Sequence, residues 1–88
     1  MRKRVLIADD FDDTRRLMKL LLEKGGYDVD EAADGFDAVK RAVEHRPDVI
    51  LMDLAMPVMD GIQATQAIRR HYDISELPIL AVTAYGDY

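Results

Sequence analysis

Short apolar runs recur along this chain, each too brief for a buried helix and each closed by polar residues. Residues 5–8, 49–52 and 79–82 read Val-Leu-Ile-Ala, Val-Ile-Leu-Met and Ile-Leu-Ala-Val. Runs of this length and content suit strands covered on both faces. Amphipathic segments lie between them. Leu17, Met18, Leu20, Leu21 and Leu22 mark one broad apolar side, with Arg15, Arg16, Lys19 and Glu23 outside it. Asp12 or Asp13 is expected to cap this helix, and Gly25-Gly26 to stop it. Tyr27, Val29 and Glu31 alternate with Asp28 and Asp30, as in a short, partly exposed edge strand. Asp34-Gly35 reads as a turn before a helix carrying Ala38, Val39, Ala42 and Val43, which Pro47 ends. Met56-Pro57 and Asp60-Gly61 bracket a loop, and Ile62, Ala64, Ala67 and Ile68 support a third helix. The order is β-α-β-α-β-α-β. An α/β fold follows, with a mostly parallel sheet, helices on both faces and right-handed crossovers.

Composition removes several alternatives. The chain has 88 residues and a formal net charge of −5, which fits one domain spanning residues 1–88. The acidic balance argues against nucleic-acid binding by this chain, because phosphate backbones attract Lys and Arg. No apolar run approaches the roughly 18 residues of a membrane span. The apolar stretch after the basic N-terminus stops at Asp9, unlike a secretory signal, so a cytoplasmic location is expected. With no cysteine, disulfide and thiolate chemistry are excluded.

The polar residues that close the apolar runs are of particular kinds. The first run ends in Asp9-Asp10, the second in Asp53 and the last in Thr83. In a parallel sheet the carboxyl ends of all strands share one edge, where open α/β folds place their sites. Asp9, Asp10 and Asp53 should therefore converge if their strands are neighbours. Three close carboxylates repel one another and need a divalent cation or raised pKa values to coexist. An all-oxygen donor set suits Mg²⁺, which binds through one or two carboxylates, waters and a phosphate.

Three motifs in this order resemble the response-regulator receiver domain of two-component signalling. They are Asp9-Asp10, the segment Asp53-Leu54-Ala55-Met56-Pro57-Val58-Met59-Asp60-Gly61, and Pro78-Ile79-Leu80-Ala81-Val82-Thr83-Ala84. The resemblance spans the chain and fits a stand-alone chemotaxis-type receiver or the receiver part of a longer regulator. It implies a flavodoxin-like sheet with four strands and three helices, lacking the last helix-strand-helix of the family. Asp53 would accept a phosphoryl group from a histidine kinase, a phosphotransfer protein or a small phosphodonor. Asp10, Asp53 and the backbone carbonyl of Ala55 would hold Mg²⁺, with Asp9 acting directly or through water. Thr83 would hydrogen-bond a phosphoryl oxygen as the switch, Ala84 would leave room for that group, and Tyr85 would tune its loss. Self-phosphorylation and slow hydrolysis would be the only reactions, so the chain would not be an enzyme of metabolism. The family also places a lysine after a fifth strand, and the sequence given stops at Tyr88, before that position.

Other readings compete. Asp10-Phe11-Asp12-Asp13-Thr14 matches the D-x-D-x-T pattern of haloacid-dehalogenase-like phosphatases, in which Asp10 would be the nucleophile. A receiver-like fragment could instead be an interaction module that binds partners without Mg²⁺ or phosphodonor. In either receiver reading, without the family's fifth strand the fourth strand would be a bare apolar edge, and a homodimer or larger oligomer is expected. Met52, Met56 and Met59 read as packing residues. His45 and His71 read as surface groups near helix ends, and Arg15-Arg16 and Arg69-Arg70 as solvated faces.

Overall fold

The computed structural model describes residues 2–82. Its elements run β1 (Arg4–Ala8), α1 (Asp12–Lys24), β2 (Asp28–Ala32), α2 (Gly35–His45), β3 (Val49–Asp53), α3 (Gly61–Arg69) and β4 (Ile79–Val82). The strands form one parallel sheet in the order β2-β1-β3-β4. β1 is central. Its Ala8 lies level with Ala32 on one side and Met52 on the other. Asp53 lies level with Val82 of β4.

Alternation along β1 assigns its side chains to two faces. Leu6 and Ala8 join Ala38, Ala42, Ile50, Met52, Ala64 and Ile68 in the main core, under α2 and α3. Small residues on both helices let them approach the sheet closely. Val5 and Ile7 are also buried and face the other side, beneath α1. On that second face, cover thins across the sheet. Ile7 is fully buried, its neighbour Leu51 is half-buried, and Leu80 of β4 is 55% exposed.

Local chemistry explains the helix ends. Asp34 accepts the Asp37 N–H at 2.8 Å and so caps α2. Asp60 and Gln63 form a reciprocal capping box at the start of α3, with bonds of 2.8 and 3.2 Å. The turn expected at Asp34-Gly35 and the turn with a helix start expected at Asp60-Gly61 are both helix starts. For α1 the expectation fails. Phe11 holds the capping position with no side-chain cap, and Asp12 and Asp13 lie inside the first turn. Their charges favour the helix dipole from there.

The apolar side of α1 also needs correction. Leu17, Leu20 and Leu21 are 57%, 62% and 60% exposed, whereas Arg15 is only 7% exposed. Arg15 goes inside because its guanidinium finds acceptors there, as described below. Arg69 is likewise not a solvated face. It is half-buried, and its Nη1 donates to the carbonyl oxygens of Tyr72, Asp73 and Leu77, tying the connection to β4 onto α3. Arg70 is exposed, as are His45 and His71. Met52 and Met56 are buried, and Met59 packs against the core.

Candidate functional site

The register of β1 and β3 builds the site. Ala8 and Met52 are level, and the next residue on each strand is an aspartate. Carboxylate oxygens of Asp9, Asp10 and Asp53 all lie within 4.8 Å of one another at the carboxyl edge of the sheet. The structure brings together the three acids that the strand ends single out. Ala55 sits in the exposed loop behind β3, where its N–H donates to Asp53 Oδ1 at 3.1 Å. Thr83, Ala84 and Tyr85 lie outside the described residues.

The acids are held to different degrees. Asp9 is buried and fixed at three points. Its N–H donates to Ala32 O at 3.0 Å, its Oδ1 accepts the Phe11 N–H at 2.9 Å, and its carbonyl accepts from Arg15 Nη1 at 2.8 Å. Asp10 is exposed. Asp53 is partly buried, and its pKa is pushed above the ordinary 3.8. Burial is the largest cause. The Ala55 N–H opposes it, and the negative charges of Asp9 and Asp10 add to the rise.

This electrostatic frustration has a measurable sign. An acid whose folded pKa is raised holds its proton more tightly in the folded state, so its ionisation lowers stability as pH rises from about 3.8 through the folded value. In Mg²⁺-free buffer at pH 7, Asp53→Asn is therefore expected to stabilise the fold. The gain is a rise in Tm, reduced by solvent screening because Asp53 is only partly buried. The advantage should vanish below pH 3.8, where both proteins carry a neutral group. Thermal melts of the two proteins across that range check it.

Two glycines, read from the sequence as residues of turns, pack against the end of β3 and the loop that follows it. A Cβ on Gly61 would strike the Asp53 carbonyl oxygen and lie 2.8 Å from Leu54 Cα. The Gly61 N–H donates to Leu54 O at 3.1 Å. A Cβ on Gly35 would strike the backbone of Met59, 2.7 Å from its carbonyl carbon. The N-termini of α2 and α3 thus press directly on the loop after β3. That loop also holds a tight turn in which the Met59 N–H donates to Pro57 O at 2.7 Å around Val58, whose φ is 66°. The signal for both glycines is their place directly after a capping aspartate.

The residues fit a hard divalent cation. Three converging carboxylates, one with its proton affinity raised by burial and by the other two, supply the charge and the oxygen donors that Mg²⁺ takes. A surface hollow of about 310 Å³ lies at the other end of the strands among Arg4, Asp28, Asp30, Arg41 and His45. It has no part in the acidic site. Asp12, which a phosphatase reading would need as acid/base, is bound to Arg15 Nη2 at 2.6 Å.

A four-stranded parallel sheet with three acids at its carboxyl edge is the architecture of a flavodoxin-like signalling domain. A family model described as the response regulator receiver domain matches residues 5–88, and the chain belongs to that family. Among curated relatives, the transcriptional regulatory protein SrrA of Staphylococcus aureus is 40% identical over 87 residues. That match covers 99% of this chain and 35% of SrrA, so the chain spans about a third of the length of that relative. The receiver domain of sensor histidine kinase PA1611 from Pseudomonas aeruginosa, with magnesium coordinated in its active-site cleft, superposes with a TM-score of 0.89 at 36% identity. The superposition covers 97% of this chain and 70% of that one. TrrA of Thermotoga maritima, in complex with Mg²⁺-BeF, gives 0.87 at 32% identity over 98% of this chain and 73% of its own.

Proposed function

We propose that this receiver domain is a Mg²⁺-dependent phosphoacceptor, with Asp53 as the residue that takes the phosphoryl group. The observation that carries this reading is the meeting of Asp9, Asp10 and Asp53 within 4.8 Å at the carboxyl edge of the sheet. A histidine kinase or phosphotransfer protein is the donor in the cell, and a small acyl phosphate serves in its place. Asp10, Asp53 and the Ala55 carbonyl would hold Mg²⁺, with Asp9 beside them, and Thr83 would donate a hydrogen bond to a phosphoryl oxygen. Mg²⁺ held there would offset the negative charge of the acids and of the incoming phosphoryl group.

The chain's own residues do the rest. An Asp53 oxygen forms the bond to phosphorus while the bond from phosphorus to the donor breaks. Acetate, or the donor imidazole, leaves with the electron pair. The Ala55 N–H, 3.1 Å from Oδ1, orients the Asp53 carboxylate. Positioning and charge neutralisation supply the catalysis, because a carboxylate is a weak nucleophile. The product adds about −1.5 to −2 charges at one point. No metabolite is turned over, and the expected location is the cytoplasm. DNA contact is not expected from this acidic chain. Incubation with acetyl phosphate, with and without Mg²⁺, followed by intact mass measurement tests the reading. A single phosphoryl adduct that requires Mg²⁺ is expected. A folded sample that stays unmodified overturns it.

The exposed edge favours a second property, self-association. Among the described residues β4 pairs only with β3, and Leu80 is 55% exposed on an apolar face. Unpaired apolar strand edges template pairing with another chain. The occupant proposed is a second copy of this chain. Light scattering should give a dimer or larger mass, and Leu80→Lys should return it to the monomer mass. A monodisperse wild-type monomer removes this property and leaves the phosphoacceptor reading intact.

A further inference from the structure

We propose that Arg15 is a positioning residue of the acidic site, fixing the peptide that joins Asp9 to Asp10 and so setting the affinity for Mg²⁺. The inference rests on the phosphoacceptor reading and extends it to a residue one helical turn away. Arg15 is the buried cation among the described residues, at 7% exposed. Each arm of its guanidinium has an acceptor on a different element. Nη1 donates to the Asp9 carbonyl at 2.8 Å, Nη2 to Asp12 Oδ1 at 2.6 Å, and Nε to Glu31 Oε1 at 2.9 Å. One planar fork thus joins the end of β1, the first turn of α1 and β2.

The contact to Asp9 is the informative one. The Asp9 carbonyl belongs to the peptide plane that leads into Asp10, so its orientation sets where the Asp10 Cα and Cβ begin. The Asp9 N–H and carboxylate are held separately, by Ala32 O and the Phe11 N–H. Without Arg15 the carbonyl would be left buried without this donor, and the Asp9–Asp10 peptide would be free to rotate. Charge alone does not account for the arrangement. Asp12 and Glu31 already pair with Arg15, and Lys19 Nζ lies 3.5 Å from Glu31 Oε2. Lysine offers a point charge and cannot reach three acceptors in one plane.

The test is Mg²⁺ titration calorimetry on the wild type, Arg15→Gln, Arg15→Lys and Glu31→Gln, with folding checked by circular dichroism. Groups that orient metal ligands from behind typically contribute about 10–100-fold in affinity, and a loss of about 10-fold or more is expected for Arg15→Gln. Arg15→Lys should lose nearly as much despite its charge. Glu31→Gln, which keeps the Asp9 contact, should bind as the wild type does. In Mg²⁺-free protein, the Phe11 amide should exchange faster in Arg15→Gln than in Glu31→Gln. Wild-type affinity in Arg15→Gln overturns the proposal and leaves the metal reading standing. A wild type that binds no Mg²⁺ overturns both. Because losing a buried cation can unfold a thin domain, the wild type supplies its own measurement. The Arg15 guanidinium N–H signals should be slowly exchanging and should shift when Mg²⁺ is added. Signals of a freely rotating guanidinium that ignore Mg²⁺ overturn the proposal.

Discussion

Asp53→Asn is expected to keep the fold and to leave no phosphoryl adduct after treatment with acetyl phosphate and Mg²⁺. The amide has the shape of the carboxylate but lacks the negative oxygen that forms the bond to phosphorus. Asp10→Asn is expected to behave differently. Asp53 remains available, but the cation would lose one of the carboxylates proposed to hold it. Metal stabilisation of transferring phosphoryl groups is worth several kcal/mol, so the rate should fall by roughly 100-fold or more without losing the modified site. Intact mass against time, with peptide mapping of any adduct, separates the two variants. An adduct on Asp10 that persists in Asp53→Asn would return the chain to the phosphatase-like reading of Asp10 as nucleophile.

Gly61→Ala is expected to damage the fold more than any change at the acids. The added methyl meets the Asp53 carbonyl and Leu54 Cα, both backbone atoms of a strand end that cannot rotate away. Overpacking costs typically about 1–3 kcal/mol, and a backbone obstacle puts this substitution at the upper end. For a domain this size that corresponds to a Tm fall of roughly 10 °C or more. The only relief is to slide α3 away from β3, which moves Asp53 relative to Asp9 and Asp10. Gly61→Ala should therefore lower both Tm and the rate of adduct formation, whereas Asp53→Asn lowers only the second. A Gly61→Ala protein that melts with the wild type would show that the α3 approach is less tight than the backbone distances imply.

Much of this is legible in the sequence. The strand ends carry their information locally: an apolar run that stops in acid names both the strand and the edge. β1, β3 and β4 could thus be read with their polar closures, and Asp9, Asp10 and Asp53 singled out as a group. What could not be read depends on what each side chain meets across the fold. Arg15 looks like any charged residue on a helix, because its acceptors are a backbone carbonyl and the distant Glu31. Leu17, Leu20 and Leu21 look like core, yet among the described residues nothing covers that side of α1. Gly35 and Gly61 look like turn residues because their role is to lack a Cβ where another segment arrives. Periodicity reports which face is apolar. It does not report which face finds a neighbour.

The central place of β1 has a thermodynamic consequence. The first strand of the chain is flanked by the second and third, so Asp9 and Asp10 meet Asp53 only after two helices and a strand have been wound between them. An unfolded chain offers no comparable set of oxygens, and a cation held at this edge would bind the folded population alone. Each tenfold rise in free cation above its dissociation constant then adds about 1.4 kcal/mol to folding, a large share of the margin of a small domain. Chelation would be felt as lost structure as well as lost chemistry, and ionic supply would become part of the folding equilibrium itself.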